Sequence, residues 1–249
     1  MFKKDTCTLS REEIEAQAQA LLGQMTLKEK VWMLNGNWDI WGNIEKYQNG
    51  YNPVPIDTNG CPRLGISPIR FSDGPRGVVM GHSTCFPVSM ARGASFDPEL
   101  EQRIGAVIGK EARAQGANYF GGVCINLLRH PAWGRSQETY GEDPYLISRL
   151  GVAAVRGLQG EQFSGQPERV LATAKHFAAH GQPEAGTNCG PANYAERTLR
   201  EELFAPFEAA VREAGIGSVM ASYNEINGIP SHINRWLLHD LLRGEWGFS

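Results

Sequence analysis

Four short apolar runs, at residues 69–71, 119–125, 170–174 and 216–221, alternate with capped helical segments along the chain. Each is too short and too uniformly apolar to be one face of a helix. The pattern matches strands of a parallel sheet covered on both sides. Parallel neighbours must be joined by long crossovers, and the segments between these runs carry helix-start signals. Ser10 is followed by Glu13 and Thr26 by Glu29, two capping boxes. Ile14, Ala18, Leu21, Leu22 and Met25 mark one face of the first helix. Asp97-Pro98 and Asp143-Pro144 place a cap and a first-turn proline before two further helical patterns. A fifth helix is expected over 196–214, kinked at Pro206 and closed by Gly215, and Asn234 is a cap for a sixth. Such a β-then-α rhythm leaves two α/β architectures, a barrel and a doubly wound sheet.

The residues just after each run favour the barrel. Polar groups cluster there: Ser72-Asp73-Gly74, Asn126 onward to Arg135, Lys175-His176 and Ser222-Tyr223-Asn224. In (β/α)₈ barrels the site is built at the C-terminal ends of the strands. A doubly wound sheet usually carries a Gly-rich phosphate loop after its first strand, and no such motif or P-loop occurs. Residues 35–62, rich in Asn, Gly, Pro and aromatics, read as a long irregular loop, not a domain boundary. The 249 residues are read as one unit.

Several classes of function are disfavoured. A formal charge of -3 gives no basic surface for nucleic acid. No run reaches the roughly 18–20 apolar residues of a membrane span, and the polar N-terminal segment lacks the apolar stretch of a secretory signal. Cys7, Cys61, Cys85, Cys124 and Cys189 form no CxxC pair, which argues against a zinc or redox motif. Their odd number leaves at least one unpaired within the chain and points to a reducing, cytoplasmic setting.

The four clusters supply a carboxylate (Asp73), two or three cations (Arg135 and Lys175, with His176 as the third where it is protonated) and a phenol (Tyr223). Carboxylates accept from paired hydroxyls and cations donate to their lone pairs, so this inventory suits a ligand dense in hydroxyls, such as a sugar ring. Plainer readings stand beside it. Asp73-Gly74-Pro75 could be a turn only, and Arg135 with Glu138, Glu142 and Asp143 a surface ion-pair network. Lys175-His176 could be a solvent-facing strand end, and residues 223–228 a polar loop.

At the same residues the chain resembles a known family. The motifs are Leu21 to Lys30; Phe71-Ser72-Asp73-Gly74-Pro75-Arg76-Gly77; Phe86-Pro87 with residues 94–100; and Trp133-Gly134-Arg135 with Glu138 and residues 140–144. Ala174-Lys175-His176-Phe177, residues 196–201, residues 219–224 with Asn227-Gly228, and Leu242 to Phe248 complete the series. Together they resemble the N-terminal barrel domain of glycoside hydrolase family 3. His130, Ala195 and the stretch 179–184 depart from the common pattern, which leaves the exact substrate open.

The resemblance implies a retaining exo-hydrolase that removes terminal non-reducing β-D-glucose from an oligosaccharide or an aryl or alkyl β-glycoside. Such chemistry uses two carboxyl groups about 5–5.5 Å apart. Asp73, Arg135, Lys175 and His176 would hold the hydroxyls of the first sugar, and Met220 and Tyr223 would line its wall. The family's nucleophile is an Asp on the strand after the Glu-Trp-Gly-Phe motif, here residues 245–248. The resemblance therefore implies a nucleophile position just after Ser249, and an acid/base in a later domain. The expectation is a C-terminally incomplete (β/α)₈ TIM-like barrel that binds sugar and is inactive alone. None of Asp73, Glu138, Glu184 and Glu225 matches a catalytic position of the family. No metal or organic cofactor is implied. A β-xylosidase or related exo-glycosidase is the nearest alternative, a phosphorylase or N-acetylglucosaminidase fits less well, and a non-catalytic sugar-binding protein is the alternative of another class.

Overall fold

The computed structural model describes residues 10–37, 54–160 and 167–248. Cys7, Ser249 and residues 38–53 of the irregular stretch read over 35–62 lie outside the described residues. Strands β1 (Ile56–Asp57), β2 (Arg70–Ser72), β3 (Tyr119–Cys124), β4 (Leu171–Phe177) and β5 (Ser218–Ala221) form a sheet in that order. β1 is antiparallel to β2, and all later neighbours run parallel. The fold is thus α/β with a parallel core, of the barrel-like kind, and the described strands do not close into a ring.

The four expected strands are all present, with edges moved by a few residues. The largest change is at β4, which continues through Lys175, His176 and Phe177 instead of stopping before them. A register shift between Ala174 and Phe177 lies where β4 meets β5. Lys175 and His176 are 4% and 1% exposed, which removes the reading of a solvent-facing strand end.

Helices α1 (Arg11–Gln24) and α2 (Leu27–Met33) begin with the two capping boxes, at Ser10 and Thr26. The α1 face expected to be covered is open among the described residues: Ile14 is 53% exposed and Leu22 44%. Helix α3 (Pro98–Ala114) joins β2 to β3, and α4 (Pro144–Gln159) joins β3 to β4. Asp97 and Asp143 cap them, accepting from the amides of Leu100 and Leu146. Ile104 and Ile108 of α3, with Ile147, Leu150 and Leu158 of α4, bury against Phe120, Val123 and Ala172 of the sheet. Helices α3 and α4 touch backbone to backbone. A Cβ on Gly157 would stand 2.3 Å from the carbonyl oxygen of Gln102 and 2.9 Å from Cα of Gly105.

The expected fifth helix is interrupted before its proline. Residues 196–198 are α-helical and Leu199–Leu203 widens into a π-turn, with the Phe204 amide bonded to the Leu199 carbonyl. Helix α5 (Ala205–Ala214) then starts with Pro206 in its first turn, where no amide hydrogen is needed, and Gly215 ends it in the left-handed conformation. The sixth, α6 (Trp236–Glu245), has Asn234 accepting from the Leu237 amide as expected, and it too is wound in the wide π pattern.

The segment 223–228, open to a polar-loop reading, contains half of a hairpin. β6 (Glu225–Ile226) pairs with β7 (Ile229–Pro230) around Asn227-Gly228. Both turn residues have positive φ, 51° and 82°, the backbone that an Asn-Gly pair accepts most readily.

Candidate functional site

The end of β2 delivers Asp73. Gly74 comes next at φ 142°, and a Cβ there would stand 1.8 Å from the carbonyl oxygen of Gly77, so only glycine fits this tight loop. The Gly74 amide donates to Asp73 Oδ1 at 2.8 Å, setting the carboxylate's orientation. Arg92 anchors the loop from outside, donating to the Pro75 carbonyl at 2.7 Å. Arg92 in turn pairs at 3.0 Å with Glu101, and Tyr140 donates to the same Glu101 oxygen at 2.5 Å. All three are buried, which gives the loop a rigid polar support that sequence patterns did not indicate.

Lys175 reaches across from β4 and donates to both oxygens of Asp73, at 2.8 and 2.9 Å. Its side chain is 4% exposed, whereas that of Asp73 is 38% exposed. The carboxylate therefore stands at the boundary, with the ammonium behind it and solvent in front.

His176 sits beside this pair. Asn126 Oδ1 accepts from the His176 backbone amide at 3.0 Å and lies 3.0 Å from ring Nδ1, while Asn126 Nδ2 donates to the His176 carbonyl. An oxygen opposite Nδ1 assigns the proton to Nδ1 and leaves Nε2 as the acceptor. Burial, reinforced by His180, Arg135 and Lys175, lowers the His176 pKa to about 2, so the ring is neutral at physiological pH.

Arg135 lies in the segment after β3, where Glu138 accepts from Nε at 2.7 Å and from Nη2 at 2.8 Å. This fork-to-fork pair has side chains 26% and 16% exposed, so it is not the loose surface network that sequence alone allowed. Burial pushes the Glu138 carboxyl up, but the bonds and charge of Arg135, with Lys175 and His180, bring it below its usual value. The hydrogen bond to Glu138 raises the Arg135 guanidinium, which stays charged.

Tyr223 comes after β5, 55% exposed, its ring centroid 6.2 Å from that of His176. Met220 lies half-buried on β5, next to Ala221, which pairs with Phe177. Of the six residues read from sequence, the structure links Asp73 to Lys175 by bonds and sets the Tyr223 ring tilted beside His176. Arg135 joins this group through the shared neighbour His180, and Met220 belongs to it by its place on β5 alone. The nucleophile position expected just after Ser249 lies outside the described residues. Two members of the site were missed. Asn126 fell within a cluster but carried no charge to single it out. In the sequence His180 is only one residue of a stretch that departs from the family pattern, yet it is fully buried, with its ring centroid 4.5 Å from that of His176 and its Nε2 3.4 Å from Arg135 Nη1.

The arrangement offers an exposed carboxylate, fixed cations, a neutral imidazole acceptor and an aromatic wall at the C-terminal ends of neighbouring parallel strands. Such groups have the chemistry to bind and orient a polar ligand. Asp73 and Glu138 each have both oxygens committed to a cation, so neither is a free nucleophile. Among the described residues no cluster of His, Cys, Asp or Glu could hold a metal ion. No described helix is long and apolar enough to cross a membrane.

A profile of the glycosyl hydrolase family 3 N terminal domain matches residues 10–249. A curated "Beta-xylosidase" of Formosa agariphila is 39% identical over 96% of this chain and 31% of its own length. A "Beta-glucosidase" of Rhizobium radiobacter is 38% identical over 92% of this chain and 26% of its own length. The chain thus spans about a third or less of the curated relatives it matches. Among solved structures, β-glucosidase 3B from Thermotoga neapolitana, in complex with α-D-glucose, superposes with a TM-score of 0.81 at 31% identity. That match covers 93% of this chain and 33% of the other.

Proposed function

This chain belongs to glycosyl hydrolase family 3, and from that premise we propose that its cleft binds the terminal non-reducing sugar of a β-glycoside, glucose foremost, within a retaining exo-acting glycoside hydrolase. One observation carries the reading: the bidentate Asp73–Lys175 pair, flanked by His176 and Arg135, at the C-terminal ends of adjacent parallel strands. Asp73 presents its solvent-facing side to two neighbouring hydroxyls. Lys175 and Arg135 donate to hydroxyl oxygens, and Nε2 of His176 accepts from a hydroxyl proton. Tyr223 and Met220 form the wall. Such contacts hold the ring in one pose and strengthen as it flattens in the transition state.

Retaining hydrolysis requires a nucleophilic carboxylate and a second carboxyl group about 5–5.5 Å away. Asp73 and Glu138 each meet a cation through both oxygens, so we assign them to binding and positioning, not to bond cleavage. The nucleophile is assigned to the strand that the family places after Ser249. Residues 1–249 are read as one portion of the family's N-terminal barrel domain. Cys61, Cys85, Cys124 and Cys189 are all free thiols, which favours a reducing compartment.

Xylose is the second reading, because a relative carrying the name β-xylosidase matches this chain at 39% identity. Calorimetric titration of the 249-residue chain with glucose and with xylose ranks the two. Binding of one of them, weakened at least about tenfold by Asp73→Asn as a charge-assisted bond is lost, is the expected result. Hydrolysis of aryl β-glucosides is expected at the background rate. Normal turnover by this chain, or no binding of either sugar, overturns the reading.

A further inference from the structure

Two neighbours decide where the Arg135 guanidinium sits. Glu138 takes Nε and Nη2, and Nη1 lies 3.4 Å from Nε2 of His180. His180 comes just after β4, in the stretch 179–184 where this sequence departs from the family pattern. The ring is completely buried, edge-on to Trp133 at 5.4 Å between centroids and 5.9 Å from Tyr223. Its Nδ1 makes no hydrogen bond of good geometry among the described residues, although the neighbouring Asn224 side chain favours a proton on the ring.

A guanidinium has donors only and keeps its charge throughout the accessible pH range. The contact at Nη1 therefore requires a lone pair on Nε2, and the single proton of a neutral ring must sit on Nδ1. A protonated imidazole has no acceptor and would set one cation against another. Resting on the sugar-binding reading above, we propose that His180 is a positioning residue. Its neutral imidazole accepts from Arg135 and, with Glu138, fixes the guanidinium so that the remaining N–H groups of Nη1 and Nη2 face the sugar.

The charged and titratable groups around His180 are Arg135 and Glu138 from the segment after β3, His176 from β4, and Tyr223 after β5. Burial and the Arg135 charge lower the His180 pKa to about 4, against weaker opposing pulls from Asn224 and Glu138. The contact is thus intact at neutral pH and lost as pH falls through that value.

The test uses the full chain with glucose as the probe. His180→Phe keeps a ring but removes the acceptor, while in His180→Gln a side-chain oxygen accepts from Arg135 without titrating. A charge-assisted bond corresponds to about a ten- to hundredfold change in affinity. The expected result is a loss of at least about tenfold in His180→Phe, largely restored in His180→Gln. The acid limb of wild-type binding near pH 4 should be missing in His180→Gln. A second readout, the NMR resonance of Arg135 Nε–H, should move in His180→Phe and return in His180→Gln without any sugar present.

Equal loss in both variants, or an unmoved Arg135 resonance in His180→Phe, overturns the proposal. So does an acid limb retained in His180→Gln, which decides the matter even where His180→Phe does not fold. If the wild type binds no sugar but the Arg135 resonance still responds, the positioning role stands and the sugar reading fails.

Discussion

Lys175 is 4% exposed, and an ammonium so placed is tolerable only because both oxygens of Asp73 meet it. The two partners are unequal. Removing Lys175 leaves a carboxylate that is 38% exposed and can rehydrate, whereas removing Asp73 strands a buried cation. Asp73→Ala should therefore destabilise the chain more than Lys175→Met, although both are expected to abolish the proposed sugar binding. The expected cost of Asp73→Ala lies at the low end of the roughly 3–5 kcal/mol for breaking a buried pair, because solvent reaches Asp73. Urea unfolding of the two variants checks the order. The histidines predict a pH effect of definite sign. Both are held neutral in the native state, His180 down to about 4 and His176 to about 2, from an ordinary 6.5. Below 6.5 the unfolded chain takes up protons that the native chain refuses, so stability falls as pH drops from 6.5 towards 4. Replacing either ring with an apolar one should flatten that slope in thermal melts between about pH 7 and 4.5. Charged candidates were legible in the sequence because their chemistry is unusual near strand ends. Asn126 and His180 were not, since their importance comes from which side chain faces them across the fold.

At the scale of the element, the helix starts were the most readable features. A capping box or an Asp-Pro start is local chemistry, and Ser10, Thr26, Asp97 and Asp143 all make the expected bonds. The strand limits were less readable. β4 runs on through Lys175-His176-Phe177 because neighbouring strands supply ladder partners, which a propensity pattern cannot foresee. The π-turns at 199–203 and in α6 left no sequence signal that local rules capture. The contact between α3 and α4 gives a test. Alanine normally improves an exposed helix by about 1 kcal/mol over glycine, but at Gly157 its Cβ would meet the Gln102 carbonyl oxygen at 2.3 Å. Gly157→Ala should instead destabilise by about 1–3 kcal/mol through overpacking, read as a lower urea midpoint at unchanged slope.

Over the whole molecule, the sheet ends at β5, which is paired only with β4 among the described strands. Apolar side chains stand exposed on α1 and α2, with Leu27 at 77%, Trp32 at 54% and Val31 at 52%. An unpaired strand edge and an uncovered apolar face both favour association. The isolated chain is expected to bind a hydrophobic dye and to scatter increasing light with concentration. A monomer by light scattering at high concentration, with no dye binding, would contradict this. The sequence by itself determined the α/β class, the order of strands and helices, the family and the charged candidates that the fold brings together, because periodicity, caps and motif spacing are properties of neighbouring residues. Only the tertiary structure decided that Lys175 lies behind Asp73, that Glu138 and His180 share Arg135, and that Asn126 sets the tautomer of His176. Those relations join residues up to about a hundred positions apart, and they exist only once β2, β3 and β4 lie side by side and burial makes each unpaired polar group costly.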